Sequence, residues 1–529
     1  MKNKHLLLLS LFSGLLLWLA WPPSVLNFLI FVGWVPLLYV AENSRTKVRF
    51  FLYTYLCMLL WNAATTWWIW NASPPGAAGA ILLNSLFMCL PWLGYYSVRK
   101  KLGDNIGQLA LITYWMTFEF LHLQDWGLSW PWLTLGNIFA IRPEWVQWYE
   151  LTGAAGGTLW VLLVNIFIFR LFSRSAIKNS RPAAVKWSTI SAVSLALPLA
   201  VSLLITPDTQ PDSGSKNVVV VQPNVDPYTE KFSEGTLVQQ IQHLITLSDS
   251  KIDSNTALVV WPETAVAAGI WEESINHDPY YAAIWEFLNR HPHINLFTGI
   301  NSYKMLNPEA AKGFSARALP GSGGYYEAFN SGALLNHEGG SQIYHKSMLV
   351  PGVEMLPSWL GFMAPLFDDF GGISGTLGKQ EERTVLHTSN NSYKIAPSIC
   401  YESIYGEFMS RYTRNGANLI AIITNDGWWG DTEGYRQHLQ YARLRAVENR
   451  KWVVRSANTG ISCFISPAGE VIEPQPWDTI AVIKMNIPAL EGKTLYVQTG
   501  DLLFKFSGIM AVILLCFSLF KRKDQISSK

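Results

Sequence analysis

Ala257-Leu258-Val259-Val260-Trp261-Pro262-Glu263 reads as a strand and the residue that follows it. Its apolar residues run without alternation, the pattern of a strand buried on both faces in an internal sheet. Pro262 offers no N–H to a ladder, so the strand stops there and a carboxylate stands at its exit. The same grammar repeats outward in both directions. Apolar, β-branched runs at 218–222, 295–300, 395–399, 419–424 and 452–455 alternate with helix-period stretches at 234–250, 280–290, 403–415 and 437–449. Strands alternating with helices predict an α/β domain between residues 215 and 490.

Sheets of this kind hold ligands in the crevice outside the strand ends. Two further strands end in reactive groups: Tyr344-His345-Lys346 in an amine, and Ala396-Pro397-Ser398-Ile399-Cys400-Tyr401-Glu402 in a thiol. Taken singly, each has an ordinary reading: a turn glutamate, a surface lysine, a core cysteine. Taken together they supply a thiol nucleophile, a base to deprotonate it and a cation for an oxyanion, the parts of an acyl-transfer site.

The rest of the chain has a different composition. Of 529 residues half are apolar, 24 are Trp and only 15% are charged, more apolar than a soluble protein of this size. The net charge of +2, with no basic stripe or arm, argues against a nucleic-acid partner. Five cysteines form no CxxC pair and no metal-ligand spacing. Cys57, Cys89 and Cys516 fall in apolar runs and read as small buried side chains. Cys400 and Cys463 are able in principle to pair in an oxidising compartment, but the context of Cys400 favours a free thiol.

Eight apolar runs, at 5–21, 25–41, 50–70, 77–97, 107–124, 157–173, 187–206 and 501–520, are read as membrane helices: seven in residues 1–206 and one after the α/β domain. Lys and Arg collect in every second loop: Lys2 and Lys4; Arg45, Lys47 and Arg49; Arg99, Lys100 and Lys101; Arg170 to Lys186; and Lys521 to Lys523 after the last run. Cytoplasmic loops retain positive charge, so both termini are expected inside and the α/β domain outside. Trp126, Trp130, Trp132, Trp145 and Trp148 suit an interfacial aromatic belt. Glu119 and Asp125 sit where carboxylates are costly, and helix packing, headgroup contact and a functional role all remain open for them.

The motifs WPET at 261–264, HKSMLVPGVEMLP at 345–357, SICYES at 398–403, TNDGWWGDT at 424–432 and QHLQYARLRAVENRKWVVRSANTG at 437–460 follow one another along the domain. In this order, flanked by seven apolar runs and one, they resemble the nitrilase superfamily and, within it, the apolipoprotein N-acyltransferases. The resemblance implies an α-β-β-α sandwich joined to a polytopic helical bundle. It implies a catalytic triad of Glu263, Lys346 and Cys400, with Glu354 as a second glutamate and Tyr401 and Glu402 beside the nucleophile. Where the family commonly carries a Trp near the domain start this chain has Phe232, and Gly352-Val353 replaces a common Phe-Gly before Glu354, which bears on loop shape.

The implied donor is a phospholipid, chiefly phosphatidylethanolamine, and the implied acceptor is the α-amine of a diacylglyceryl-cysteine at an apolipoprotein N-terminus. No cofactor is expected, and the setting is the bacterial inner membrane with catalysis in the periplasm. The apolar stretch 359–367 is a candidate lid, or a loop packed on the domain. Two rivals stand beside this reading: a membrane-tethered amidase with water as the acceptor, and a non-catalytic membrane scaffold.

Overall fold

The computed structural model describes residues 3–172, 180–205, 207, 214–233, 235–307, 313–321, 323–356 and 376–520. Its contacts divide the chain into two units, Met1–Trp67 with Ala77–Ile205 and Thr499–Lys529, and Trp68–Gly76 with Thr206–Gln498.

The first unit is helical. Among the described residues, five helices are long and apolar enough to cross a bilayer: Asn3–Ala20, Pro74–Leu102, Ala154–Phe172, Pro182–Leu204 and Leu502–Phe520. The expectation of eight spans is thus met for five. Lys47–Thr66 and Asp104–His122 are helices of 20 and 19 residues. Their apolar character is diluted by Lys47, Arg49 and Asn62 in one and by Asp104, Asn105, Gln108 and Glu119 in the other. The run expected at 25–41 is broken into Asn27–Leu29, Ile30–Gly33 and Val35–Asn43, the last two meeting at Trp34. Pro36 has no N–H to donate to the preceding turn, which accounts for the break.

The aromatic belt is only partly a belt. Trp126 is exposed, but Trp132 and Trp148 are buried, and Trp132 stacks on Trp130 with ring centroids 5.4 Å apart. Glu119 is buried and fully partnered: its carboxylate accepts from the Trp115 indole at 2.8 Å, the Leu135 amide at 2.7 Å and the Thr158 hydroxyl at 2.6 Å. A buried charge requires such partners, and here they join the 125–156 segment to the helix that carries Thr158.

The second unit is built on two sheets. The first contains β1 (Lys216–Gln222), β2 (Thr256–Val260), β3 (Val266–Trp271), β4 (Asn295–Leu306), β5 (Arg317–Ala318), β6 (Tyr325–Asn336) and β7 (Ser341–His345). The second contains β8 (Leu386–His387), β9 (Lys394–Ile399), β10 (Leu419–Thr424), β11 (Val453–Ala457), β12 (Cys463–Ile465) and β13 (Val471–Ile472). A last strand, β14 (Ala481–Ile487), returns to the first sheet antiparallel to β1. The orders are β14-β1-β2-β4-β6-β5, with β3 on β4 and β7 on β6, and β13-β12-β11-β10-β9-β8. β1, β2 and β4 are mutually parallel, as are β9, β10 and β11. Each sheet therefore presents the exits of its central strands along one edge.

Helices Leu237–Asp249 and Ala282–Arg290 cover the first sheet, setting Ile241, Leu244, Ile284 and Phe287 against Val219, Val259 and Leu296. Helices Gly406–Arg414 and Glu433–Asn449 pack on the second. Between the sheets, the Ser456 hydroxyl donates to the Val221 carbonyl at 2.7 Å, and Ile423 lies over Gly332. The layers are α-β-β-α, as the resemblance implies. Full burial of each Val, Leu or Ile in such a core contributes roughly 1.5–3 kcal/mol.

The expected strands are present within a few residues, although β4 runs on to Leu306, while β3, β5, β6, β8, β12, β13 and β14 lie where no strand was expected. The stretch 359–367, the candidate lid, lies outside the described residues.

Candidate active site

Glu263 stands three residues past the end of β2, and a glycine makes its position possible. Gly299 on β4 donates its N–H to the Pro262 carbonyl at 3.1 Å, and a Cβ there would sit 2.6 Å from the Glu263 Cα. Thr264 turns the chain away with φ +51°, in the left-handed region that non-glycine residues seldom adopt. The Glu263 carbonyl accepts from the buried Lys231 ammonium at 2.9 Å. Three donors meet the carboxylate: Oε2 accepts from the Asn425 backbone N–H at 2.9 Å, and Oε1 from Asn330 Nδ2 at 2.8 Å and Lys346 Nζ at 3.5 Å. Asn425 follows β10, so Glu263 is gripped by both sheets.

Lys346 follows β7, its amide paired to the Asn330 carbonyl at 2.9 Å. The side chain is 1% exposed and reaches Glu354 Oε1 at 2.8 Å. Burial pulls the ammonium down, but the charges of Glu354, Glu263 and Cys400 outweigh it and hold Lys346 above the usual lysine range. Glu354 is fixed in turn by Asn330 Nδ2 at 3.0 Å and the Val350 amide at 2.9 Å. Asn330 therefore spans the two glutamates, with Lys346 bonded to both.

Cys400 follows β9 directly, 9% exposed, with φ +54°. An L-residue held left-handed at a strand exit turns its side chain out of the ladder, an arrangement that persists only when the surroundings enforce it. Burial raises the Cys400 thiol well above the usual range, and Glu263 raises it further while Lys346 opposes both. The thiol is thus neutral at rest and needs a base. All five cysteines are free, Cys463 included, so the alternative of a disulfide is not realised.

The remaining expected residues fall around this centre. Glu402 is fully buried. Its Oε1 accepts from the Tyr344 hydroxyl and the Ser347 amide, both at 2.6 Å, and from the Met348 amide at 3.1 Å, while Oε2 accepts from the Ile399 amide at 2.7 Å. It ties the chain before Cys400 to the chain after Lys346. Burial raises its pKa, against the pull of these hydrogen bonds. Tyr401 is buried with its ring 5.4 Å from that of Tyr405, edge to face. Phe232 is half exposed and stacks on Trp428 at 6.3 Å. The loop bearing Trp428 is tied by Asn71, whose Nδ2 donates to the Trp429 carbonyl at 2.8 Å.

Sequence reasoning did not single out Asn330, Asn425, Lys231, Gly299 or Asn71. Asn425 lies inside a quoted motif, and Asn330 stands on an unrecognised strand. Among the described residues no group of three or more His, Cys, Asp or Glu is able to hold a metal ion.

A thiol, a carboxylate and a clamped ammonium at the exits of three strands are set in two face-to-face sheets between layers of helices. Residues 218–494 match the carbon-nitrogen hydrolase family, and the fold is of that class. Residues 13–167 match the apolipoprotein N-acyltransferase N-terminal domain. Apolipoprotein N-acyltransferases of Chlorobaculum tepidum, Geobacter metallireducens and Azotobacter vinelandii are 32%, 25% and 27% identical to this chain, over 96%, 98% and 98% of it and 96%, 96% and 95% of their own lengths. The chain belongs to the apolipoprotein N-acyltransferase family. It is an acyltransferase of lipoprotein biosynthesis, and its long apolar helices fit a bacterial inner-membrane protein.

Proposed function

We propose that the chain moves a fatty acyl group from a phospholipid, chiefly phosphatidylethanolamine, through a thioester on Cys400 to the α-amine of an N-terminal S-diacylglyceryl-cysteine. The observation that carries the reading is the clamp on Lys346, 2.8 Å from Glu354 and 3.5 Å from Glu263, beside a buried thiol held left-handed at a strand exit.

In the first half-reaction Glu263 takes the Cys400 proton as sulfur attacks the ester carbonyl. Coupling the two steps avoids a free thiolate in a site that disfavours one. Lys346 and the Tyr401 backbone N–H stabilise the oxyanion. Collapse breaks the ester C–O bond, Glu263 returns the proton to the leaving glycerol oxygen, and lysophospholipid departs. In the second half-reaction Glu263 accepts a proton from the attacking amine. Collapse then breaks the C–S bond, forms the amide and restores the Cys400 thiol. Glu354 holds Lys346, Glu402 and Tyr401 shape the nucleophile's surroundings, and Phe232 offers an apolar contact to substrate.

In this reading the chain crosses the membrane eight times, with 1–206 and 501–520 as the membrane part and 215–490 as the catalytic domain. Both termini are cytoplasmic and the domain is periplasmic, supported by the Lys and Arg of alternate loops.

The test is intact-mass analysis after incubation with phosphatidylethanolamine, comparing wild type with Cys400→Ser and Glu263→Gln. The expected result is a hydroxylamine-labile acyl adduct on Cys400, lost in both variants and discharged by a diacylglyceryl-cysteine peptide. Discharge by water at an undiminished rate without peptide would favour an amidase-like hydrolase, and no adduct on folded protein would sink the thioester.

A further inference from the structure

Around the Cys400 carbonyl lies a second set of buried polar groups that the mechanism above does not use. Asp426, His438 and Arg455 are each 0–1% exposed, as are Thr424 and Ser403. Asp426 follows β10, Arg455 stands on β11 and His438 on helix Glu433–Asn449, so three elements converge on one carboxylate. Its Oδ2 accepts from Arg455 at 2.7 Å. Its Oδ1 accepts from the Thr424 hydroxyl at 2.9 Å and lies 3.0 Å from His438 Nδ1. Gly460, with φ +145°, leaves the space: a Cβ there would lie 2.6 Å from Asp426 Oδ2.

One end of this cluster reaches the backbone of the nucleophile. His438 Nε2 lies 3.0 Å from the Cys400 carbonyl oxygen and 2.9 Å from the Ser403 hydroxyl. The proton of that hydroxyl is directed to the same Cys400 carbonyl, at 2.8 Å. Both neighbours of Nε2 are therefore acceptors toward it, and a carbonyl accepts only, so Nε2 must carry a proton. Nδ1 faces Asp426 Oδ1 and, at 3.1 Å, the Arg455 guanidinium, which fix the ring's rotation.

We propose that His438 is a positioning residue of the nucleophile: oriented by Asp426, it donates its Nε2 proton to the Cys400 carbonyl and holds that residue in its left-handed conformation, while Thr424 steadies the same carboxylate. The Cys400 peptide plane leads into the backbone N–H of Tyr401, so anchoring its carbonyl also fixes the direction of that donor. The inference rests on Cys400 being the nucleophile and extends that reading to the residues that aim it.

The test compares two amides that keep opposite halves of the imidazole. Gln at 438 places its amide near the position of Nε2, whereas Asn places its own near Nδ1. In the full-length protein in detergent, the rate of N-ethylmaleimide modification at Cys400, read by peptide mass spectrometry, is measured beside thermal stability for His438→Gln and His438→Asn. The expected result is that His438→Gln retains most of the wild-type rate, while His438→Asn loses about ten- to a hundredfold, the effect of one hydrogen bond made with a charged network. Equal losses in the two, the reverse order, or losses that merely follow melting temperature would overturn the proposal.

If neither variant folds, Thr424→Ser against Thr424→Val decides through the carboxylate that orients the ring: Ser keeps the hydrogen bond to Asp426 and the wild-type rate, Val loses both, and equal rates refute the role. These readouts need no lipid. A wild type that forms no acyl adduct therefore defeats the thioester reading, while the order of alkylation rates judges the positioning claim by itself.

Discussion

The ammonium of Lys231 donates to the main-chain carbonyl of Glu263 at 2.9 Å, so the backbone of the proposed base is held by a charge with no part in the proposed chemistry. Lys231 is 3% exposed, and burial lowers its pKa to about 8 against the opposing pull of Glu263. Lys231→Met removes the donor and leaves a buried carbonyl unpaired, at roughly 1–3 kcal/mol of stability. Acyl-enzyme formation should slow by about tenfold or more, with little change in the KM for phospholipid, because the base is displaced rather than the lipid contacts. Calorimetry and single-turnover acylation read the two effects, and an unchanged acylation rate would show that the carbonyl needs no anchor.

Gly299 supports Glu263 by absence. A methyl group there would lie 2.4 Å from the Thr264 amide nitrogen and 2.6 Å from the Glu263 Cα, both backbone atoms that cannot rotate aside. Gly299→Ala is expected to lower stability by about 1–3 kcal/mol, as overpacking does. It should also reduce acyl transfer by on the order of a hundredfold, the effect of moving a reacting group by about an ångström. Activity measured per mole of folded protein separates the two, and full activity would mean that the strand exit tolerates the shift.

The proposed reactive centre was legible because its residues lie at strand exits. Pro262 marks one end, and the apolar runs before Glu263 and Cys400 mark the strands themselves. Asn330 was not legible because β6 is buried along most of its length and mixes small and polar residues, Asn330, Ser331, Gly332 and Ala333, so neither alternation nor apolarity marks it as a strand. Lys231 follows Asp226 and Glu230 in a polar stretch and reads as a solvated charge, and only the fold brings it to the Glu263 carbonyl. In the helical unit, hydropathy alone misses the break at Trp34 that Pro36 explains.

Glu119 tests whether a buried carboxylate in the helical unit is there for packing. Three donors at 2.6–2.8 Å satisfy it. Glu119→Ala strands the Trp115 indole, the Leu135 amide and the Thr158 hydroxyl, so a loss of about 3 kcal/mol or more is expected. Glu119→Gln keeps an acceptor but turns an amide toward donors and should fall between. Thermal unfolding in detergent ranks the three proteins. Activity lost by Glu119→Gln at unchanged stability would instead assign Glu119 a functional role.

The thiol of Cys400 supplies the test of the site's electrostatics. Burial raises its pKa most, the Glu263 charge raises it further and the Lys346 charge lowers it. Removing the Glu263 charge should therefore make the thiol more acidic, and removing the Lys346 charge should make it less so. In a profile of iodoacetamide modification at Cys400 against pH, the curve for Glu263→Gln should move to lower pH, and that for Lys346→Met to higher pH. Acyl transfer runs against this order: Glu263→Gln, with the more easily ionised sulfur, should still lose about a hundred- to ten-thousandfold in acylation, because nothing accepts the proton as the ester is attacked. A Glu263→Gln enzyme that acylates as fast as wild type would show that ionisation alone activates Cys400 and that Glu263 is not its base.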